Sequence, residues 1–428
     1  MNGPGGAAAQ APSVVLLLNN PFLTDSRSWK LASTLTAARY RVTVVARQRD
    51  GLAPREEREG FTVLRVAQPP PPWWLPAPPL PADTAPAAPG PARVLREVVG
   101  RTLQGIRFVL LARRWAEAVA RDVPQADIWQ AEGLVTLPLA LALRRRRGGR
   151  VVYDSRDVHV ESGRFARLPG PWRRLLRRRE RAWMRAADAL LTVSRPYAEV
   201  LEETFGRAAT IVMNTPPAWQ RPDPPPRRFH ERLGLGPDER VVLYLGQVAA
   251  HRGIEELCDA IGLVERAVLV VVGFGAAYEA CRAHAAALPQ ASRIHFLPGV
   301  PPEEIPAWTA SADVSAMPVQ AATLNHRLNT PTKLFDAMGA GTPVVASDLP
   351  GMAPIVRETG CGVLCDPNDA ADIARAIRAI LDAPPGVRAR YREACLEAAR
   401  GPYGWQPQAE RLLTLYATLG VPAPGGSA

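Results

Sequence analysis

The feature that most constrains this chain is a pattern that occurs twice. Short β-branched runs, each followed by a polar or glycine-bearing loop and a stretch of helical spacing, form two series separated by a proline-rich break. In the first series Val14 to Leu18 is a continuous apolar run of the kind buried on both faces of a parallel sheet, and Asn19 to Ser28 is a polar loop. Trp29 to Ala38 then has helical spacing and Arg41 to Ala46 is the next strand, which makes the unit βαβ. After a helical stretch over about Val94 to Arg121, the alternation continues with Ile128 to Gln130, a helix to Arg147, Val151 to Tyr153, a helix over Trp172 to Ala187, and Ala189 to Val193. Thr215 to Arg228 (TPPAWQRPDPPPRR) interrupts it, because so many prolines sustain neither a helix nor a central strand. The second series has strands at Val241 to Leu245, Ala267 to Val272, Ile294 to Leu297, Asp313 to Met317 and Val344 to Ala346. Helices over Gly253 to Ile261, Ala277 to Leu288 and near Lys333 to Met338 fall between them.

Alternation of this kind predicts parallel sheets covered by helices on both faces. A chain of 428 residues holds two such domains. They are placed at 13–215 and 239–400, with a linker at 216–238 and a last helix within 403–419, about Trp405 to Leu419. A second proline tract at 68–93, containing Trp73 and Trp74, is expected to form an exposed flap on the first domain. Open parallel sheets bind ligands beyond the carboxyl ends of their strands, so the main site is expected in the cleft between the two halves.

The formal net charge of +11 is local: between Arg144 and Arg185 there are 15 arginines against four acidic residues, and the remaining residues balance. Trp172 to Ala187 places Trp172, Leu175, Leu176, Trp183 and Ala186 or Ala187 on one helical face. Arg173, Arg174, Arg177, Arg178, Arg181 and Arg185 lie around the other. The plain expectation is a helix packed on its own sheet with a solvated arginine face. The further expectation is docking of 144–185 on an anionic membrane surface, at about 1 kcal/mol per arginine near the leaflet. A nucleic-acid partner is not expected, because such modules bring aromatic stacking or a reading helix with Asn, Gln and Lys. The longest uncharged apolar stretch, Gly133 to Leu143, is well short of the roughly 20 residues that span a bilayer. Five cysteines without framework spacing are expected as free buried thiols in a reducing cytosol, with no metal site among them. No secretory signal is expected, since the first basic residue, Arg27, follows the short apolar run.

Of the 52 basic residues only Lys30 and Lys333 are lysines. Gly246 ends the strand VVLYLG, and the loop to Gly253 opens a helix whose free amides and positive dipole end suit an anion. Arg252 in that loop adds a guanidinium fork suited to phosphate oxygens, although a simple tight turn would look similar. Gly273 and Gly275 end the next strand, at points where a ligand or another backbone comes close. The densest group runs from Leu324 to Gly351 (LNHRLNTPTKLFDAMGAGTPVVASDLPG). Pro331 suits a helix start, Lys333 sits in the first turn, and Asp336 follows three residues later on the same face. The pair reads either as a surface salt bridge or as a cation beside a hydroxyl-accepting carboxylate. The nearby Gly339, Gly341 and Pro343, and the rarity of lysine, favour the second.

Taken together, GQVAAHRGIEEL, LVVVGFG, IHFLPGVPPEEIPAWTASADV, the Lys333 to Gly351 block and GCGVLCDPNDAADIARAI resemble the GT-B glycosyltransferases of the group 1 (family 4) type. In the first half NNPFLTDSRSWKLASTLTAARYRVTVVA, VVYDSRDVHVE and ADALLTVSRPYAEVL ending in MNTPP are similar to the same family, so the resemblance covers about 13–418. It implies an α/β GT-B fold with two Rossmann-like domains and a C-terminal helix that crosses back to the first. It also implies transfer of a sugar from a nucleotide-diphosphate donor to a glycan or lipid-linked acceptor, with retention at the anomeric carbon and with no cofactor or bound metal. On matching positions, Arg252 and Lys333 are the catalytic cations. Gly246, Gln247, Gly273, Gly275, Val300, Asn325 and Asp336 contact the donor, and the backbone of Leu297 to Val300 meets the base. Asp25, Arg27, Asp157 and His159 face the acceptor. The setting implied is cell-surface polysaccharide or glycolipid synthesis, cytoplasmic and peripheral on the inner face of the plasma membrane. Three positions depart from the family pattern: Leu328 in place of the first of two carboxylates eight apart, Gln247 where many members have Arg, and Arg156 where many have His. A nucleotide-sugar epimerase and a catalytically degenerate nucleotide-sugar-binding protein are the other readings.

Overall fold

A computed structural model describes residues 11–23, 25–69, 110–159, 168 and 170–423. Most of the proline flap, including Trp73 and Trp74, lies outside the described residues, as do 94–109 of the expected helix and 160–167 of the basic segment. Residues 110–122 are helical.

The chain divides into two compact α/β units, the first made of 1–193, 197–212 and 409–428 and the second of 194–196 and 213–408. In the first unit the strands are β1 (Ser13–Leu17), β2 (Arg41–Arg47), β3 (Arg55–Arg58), β4 (Phe61–Val66), β5 (Ile128–Glu132), β6 (Arg150–Ser155), β7 (Ala189–Thr192) and β8 (Thr210–Ile211). Their order in the sheet is β3-β4-β2-β1-β5-β6-β7-β8. All neighbours are parallel except β3 with β4. The sequence reading assigns no element to this hairpin, because REER does not alternate apolar and polar residues. Its signal is Glu59–Gly60, both at positive φ, in the two-residue turn that matches strand twist. The winding reverses between β1 and β5, which is where an open sheet leaves a crevice at its carboxyl edge.

The second unit contains β9 (Arg240–Gln247), β10 (Ala267–Phe274), β11 (Ile294–Pro298), β12 (Val314–Met317), β13 (Val344–Ser347) and β14 (Gly362–Cys365). They form one parallel sheet in the order β11-β10-β9-β12-β13-β14. On β9, Val242 and Tyr244 join the core on one face and Val241, Leu243 and Leu245 the core on the other. That double burial explains why the strand reads as a continuous apolar run. Here the winding reverses between β9 and β12.

In the Gly170–Ala186 helix the expected apolar face divides: Trp183 and Ala186 pack on the core, and the N-terminal part of the stripe does not. The buried residues of the helix are Glu180 and Met184, whereas Trp172 (46%) and Leu175 (44%) are exposed beside Arg174, Arg178 and Arg179. Some of the local charge is also used internally. Arg144 and Arg150 pair with Asp188, Arg147 donates to the carbonyls of Ala120 and Val123, and Arg156 enters a carboxylate cluster. All five cysteines are buried and free. Among the described residues no helix is long and apolar enough to cross a membrane.

Candidate functional site

In the second unit the candidate residues gather at the carboxyl end of β9, beside the point where the winding reverses. The loop after Gln247 carries His251 at φ 61 and Arg252, then Gly253 at φ 67 as the residue that opens the Ile254–Ile261 helix. A side chain at Gly253 would place its Cβ 2.0 Å from the carbonyl oxygen of Pro318, so glycine is required there by packing as well as by φ. Gly273 and Gly275 have the same kind of reason. A Cβ at either would fall within about 2 Å of the carbonyl oxygens of Gly246 and Val248 respectively, and the close neighbour is backbone. Their absence of side chains keeps the ends of β9 and β10 together.

Lys333 enters from the first turn of the Thr332–Ala340 helix. Its Nζ lies 3.7 Å from the centre of the Tyr244 ring and 4.0 Å from the place a Cβ on Gly246 would occupy. The ammonium is buried and has no hydrogen-bond partner among the described residues. The ring face compensates it in part. Burial, and then the charge of Arg252, push its pKa down to about 7, while Asp336 opposes the shift. Between pH 7 and 10.5 the unfolded chain therefore holds a proton that the folded chain has released, and stability rises with pH across that interval. Arg252 has no ion-pair partner among the described residues. The rings of His251 and His326 lie 6.1 Å apart, and burial together with the charges of Arg252 and His251 lowers the pKa of His326. Two cations and two imidazoles thus converge on one side of the sheet end, with Asp336 as the acidic group facing Lys333. A buried, repelled ammonium beside a guanidinium without an ion-pair partner among the described residues is an arrangement that an anion would stabilise.

The other expected donor residues are dispersed around this centre. Gln247 is exposed, and its carbonyl accepts from the Tyr244 hydroxyl at 2.8 Å. Asn325 is buried in a short helix capped by Thr323, Leu328 is buried at its end, and Val300 is half-buried against the core under β11. Phe274 is 70% exposed, and its ring lies 3.1 Å from the position of a Cβ on Gly299. The sequence reading names it only as the residue between two glycines; a large aromatic at the exposed end of a core strand is the signal that would have singled it out.

The first unit gathers a different cluster at the carboxyl ends of β1, β5 and β6. Asp25 caps the Ser26–Ala37 helix by accepting from the Ser28 amide. It also receives both Arg156 Nη1 contacts at 2.9 Å and one from Asn20. Arg156 further donates to Ser28 and to Glu132. Arg27 corrects an expectation. It is buried, its Nε and Nη2 form a two-point bridge to Asp154 at 2.7 and 2.9 Å, and its Nη1 donates to the Val212 carbonyl. Each of its three guanidinium nitrogens donates inside the unit, so the buried Arg27 serves the bridge to Asp154.

Three carboxylates, Asp25, Glu132 and Asp154, share two guanidiniums, Arg27 and Arg156. The imbalance of one negative charge falls on Glu132. Burial raises its pKa to about 8, Arg156 opposes the shift, and Asp154 adds to it. At Asp154 burial works against ionisation, but the charges of Arg27 and Arg156 outweigh it and hold the carboxyl at about 2. The sequence reading misses Glu132 altogether, because its position at a strand end is ordinary and its partners come from distant segments. His159 stacks obliquely on Tyr153 at 6.4 Å, and its Cε1 lies 3.4 Å from the place of a Cβ on Gly133. Burial lowers its pKa, so it is a packed imidazole and not a solvated one. Asp157 is exposed beside it.

The profile of glycosyl transferases group 1 matches residues 227–401, and that of glycosyltransferase family 4 matches residues 27–214. A GDP-mannose-dependent alpha-(1-6)-phosphatidylinositol monomannoside mannosyltransferase of Mycolicibacterium smegmatis is 31% identical over 70% of this chain and 79% of its own length. A D-inositol 3-phosphate glycosyltransferase of Acidothermus cellulolyticus is 30% identical over 58% of this chain, and the alignment spans only 57% of that relative. Among solved structures, sucrose-phosphate synthase of Thermosynechococcus elongatus matches with a TM-score of 0.73 at 17% identity, covering 96% of this chain and 99% of that one. Anabaena HepE in complex with UDP and glucose matches with a TM-score of 0.69 at 13% identity, covering 95% and 100%.

Proposed function

Since the chain belongs to the group 1 glycosyltransferases and has their GT-B fold, we propose that it transfers a sugar from a nucleoside diphosphate sugar, bound by the second unit, to a hydroxyl of a glycan or lipid-linked acceptor bound by the first. The observation that carries this reading is Lys333, a buried ammonium without a hydrogen-bond partner, facing Arg252 at the end of β9. The difficult event in such a transfer is departure of the diphosphate from a carbon that develops oxocarbenium character. Positive charge held ready at the leaving oxygens lowers that barrier without reorganisation. Arg252 offers a forked contact, Lys333 a point charge, and the amides opening the Ile254–Ile261 helix a set of neutral donors. Asp336, on the same helix as Lys333, is suited to accept from ribose hydroxyls, and the exposed face of Phe274 beside Gly299 suits a base. Retention at the anomeric carbon is supported by the family resemblance alone.

Calorimetry tests the donor assignment. At pH 8 an ammonium with a pKa of about 7 is about nine-tenths neutral, and a bound diphosphate favours its charged form. Binding of UDP, GDP, ADP or TDP, whichever the site accepts, should therefore take up close to one proton, read as a dependence of the binding heat on buffer ionisation enthalpy. Lys333→Met should abolish that dependence. An identical buffer dependence in wild type and variant would refute the assignment.

We place the enzyme on the cytoplasmic face of an anionic membrane, held by the Gly170–Ala186 helix. Exposed Trp172 and Leu175 offer an apolar pair to the lipid boundary, and the arginines around them supply about 1 kcal/mol each near anionic headgroups. The lipid acceptor named for the Mycolicibacterium relative supports the same setting. Sedimentation with vesicles at low salt should recover the protein with anionic lipid and not with neutral lipid, and Trp172→Ala with Leu175→Ala should cut the recovery. Equal recovery with both lipids would exclude this mode of docking.

A further inference from the structure

A cavity of about 700 Å³ lies in the second unit, away from the cations at the end of β9. It opens between the proline-rich segment 216–225 and the Pro385–Arg400 helix, and Gly339, in the last turn of the Thr332–Ala340 helix, is part of its wall. Gly339 is six residues from Lys333, roughly 9 Å along the helix axis, so the cavity is distinct from the donor centre.

Its lining joins apolar surface to an excess of positive charge, with Asp223 as the acidic residue in the wall. Trp219, Leu396 and Tyr403 supply the first, and Arg221 and Arg392 the second. Arg221 is only partly satisfied. Its Nε is buried without a hydrogen-bond partner among the described residues, and its Nη1 reaches the Gly341 carbonyl at a long 3.4 Å. Neither arginine has a carboxylate partner among the described residues. Burial, and then the like charge of Arg392, push Arg221 below the ordinary arginine range, against the opposing charge of Asp223. Arg392 is exposed at the mouth of the hollow, and the cost falls on Arg221, whose buried Nε lacks an acceptor beside a like charge. An anion between them relieves the repulsion and gives the buried Nε an acceptor.

We propose that this cavity binds an amphiphilic anion, with a phosphate or carboxylate held between Arg221 and Arg392 and an apolar body packed on Trp219, Leu396 and Tyr403. Neither guanidinium is used by the glycosyl-transfer reading, and the two sites share no residue.

Calorimetric titration with hexyl phosphate, inorganic phosphate and 1-hexanol separates the two halves of the recognition. Hexyl phosphate should bind at least tenfold more tightly than inorganic phosphate, and hexanol should give no saturable heat. Arg221→Met should weaken hexyl phosphate at least tenfold. Leu396→Trp, which puts bulk on the apolar wall and keeps both arginines, should weaken it at least tenfold and serves if the arginine variant folds poorly. A saturating nucleoside diphosphate should leave the titration unchanged. A dodecyl phosphate arm distinguishes sources: further tightening below its micelle concentration marks a lipid, and a plateau at hexyl marks a small soluble anion. No saturable binding, binding unaltered in both variants, or loss of binding to a nucleoside diphosphate would overturn the proposal.

Discussion

Replacing Arg252 by alanine is expected to lower kcat for sugar transfer by about 10²- to 10³-fold, and Lys333→Ala by a comparable factor. The two side chains supply fixed, full positive charge at a site where the helix amides are neutral donors. Charge on the leaving diphosphate is greater in the transition state than in the bound donor, so the loss falls on kcat more than on KM. The double variant should lose much less than the product of the single losses, because both cations act on one leaving group. Arg252→Lys keeps the charge and loses the fork, and should fall between. The measurement is steady-state release of nucleoside diphosphate. A thermal melt serves as the control: Lys333→Met removes a buried ammonium that costs the empty protein stability, and should melt at or above the wild-type temperature. A variant with lost activity and unchanged melting identifies a catalytic role; lost activity that tracks lost folding identifies a structural one.

Arg27→Ala is expected to destabilise the first unit by about 3–5 kcal/mol, because it leaves the Asp154 carboxylate buried after its two-point partner is gone. Arg156, whose Nε stands 3.5 Å from Asp154, limits the loss without replacing the bond to Val212. Denaturant titration at pH 7 reads the change, and a loss below about 1 kcal/mol would place the pair among marginal surface bridges. The same cluster has a pH signature. Glu132 is protonated in the folded chain up to about pH 8 and in the unfolded chain only up to about its ordinary 4.5, so stability should fall as pH rises through that window. Asp154 works in the opposite sense, and its contribution is present above its ordinary 3.8 and lost as pH falls to about 2. Glu132→Gln should reduce the upper slope, leaving the part due to Glu180, which burial raises to about 7, and should leave the lower one unchanged.

The parallel cores of the two sheets were legible because each core strand carries the apolar run that burial on both faces demands, and because glycines mark the strand ends. The sites of Gly253, Gly273 and Gly275 could be read as points of close approach. That the approaching atoms are the backbone carbonyls of Pro318, Gly246 and Val248 needed the packing. Lys333 was legible through its rarity, and its ring contact with Tyr244 was not, since the two are 89 residues apart in the chain. Arg27 was misread for the same reason. A loop arginine looks available to a ligand until its carboxylate, 127 positions away, is seen to bury it. The Gly170–Ala186 helix shows a further limit. Helical periodicity correctly separates Trp172 and Leu175 from most of the arginines, but it cannot say whether an apolar stripe meets the sheet or solvent. Here the stripe divides: Trp183 and Ala186 pack on the core beside Glu180 and Met184, while Trp172 and Leu175 meet solvent.

Transfer from a nucleoside diphosphate sugar is tested most directly by proton and phosphorus NMR of the reaction itself, with UDP-, GDP-, ADP- and TDP-sugars offered against inositol phosphates, phosphatidylinositol and simple glycans. One donor should yield nucleoside diphosphate in equal amount with a new glycoside that keeps the donor's anomeric configuration, and Arg252→Ala should suppress both signals together. A protein that binds a nucleoside diphosphate yet releases none from any donor, or whose product has the opposite configuration, would contradict the assignment.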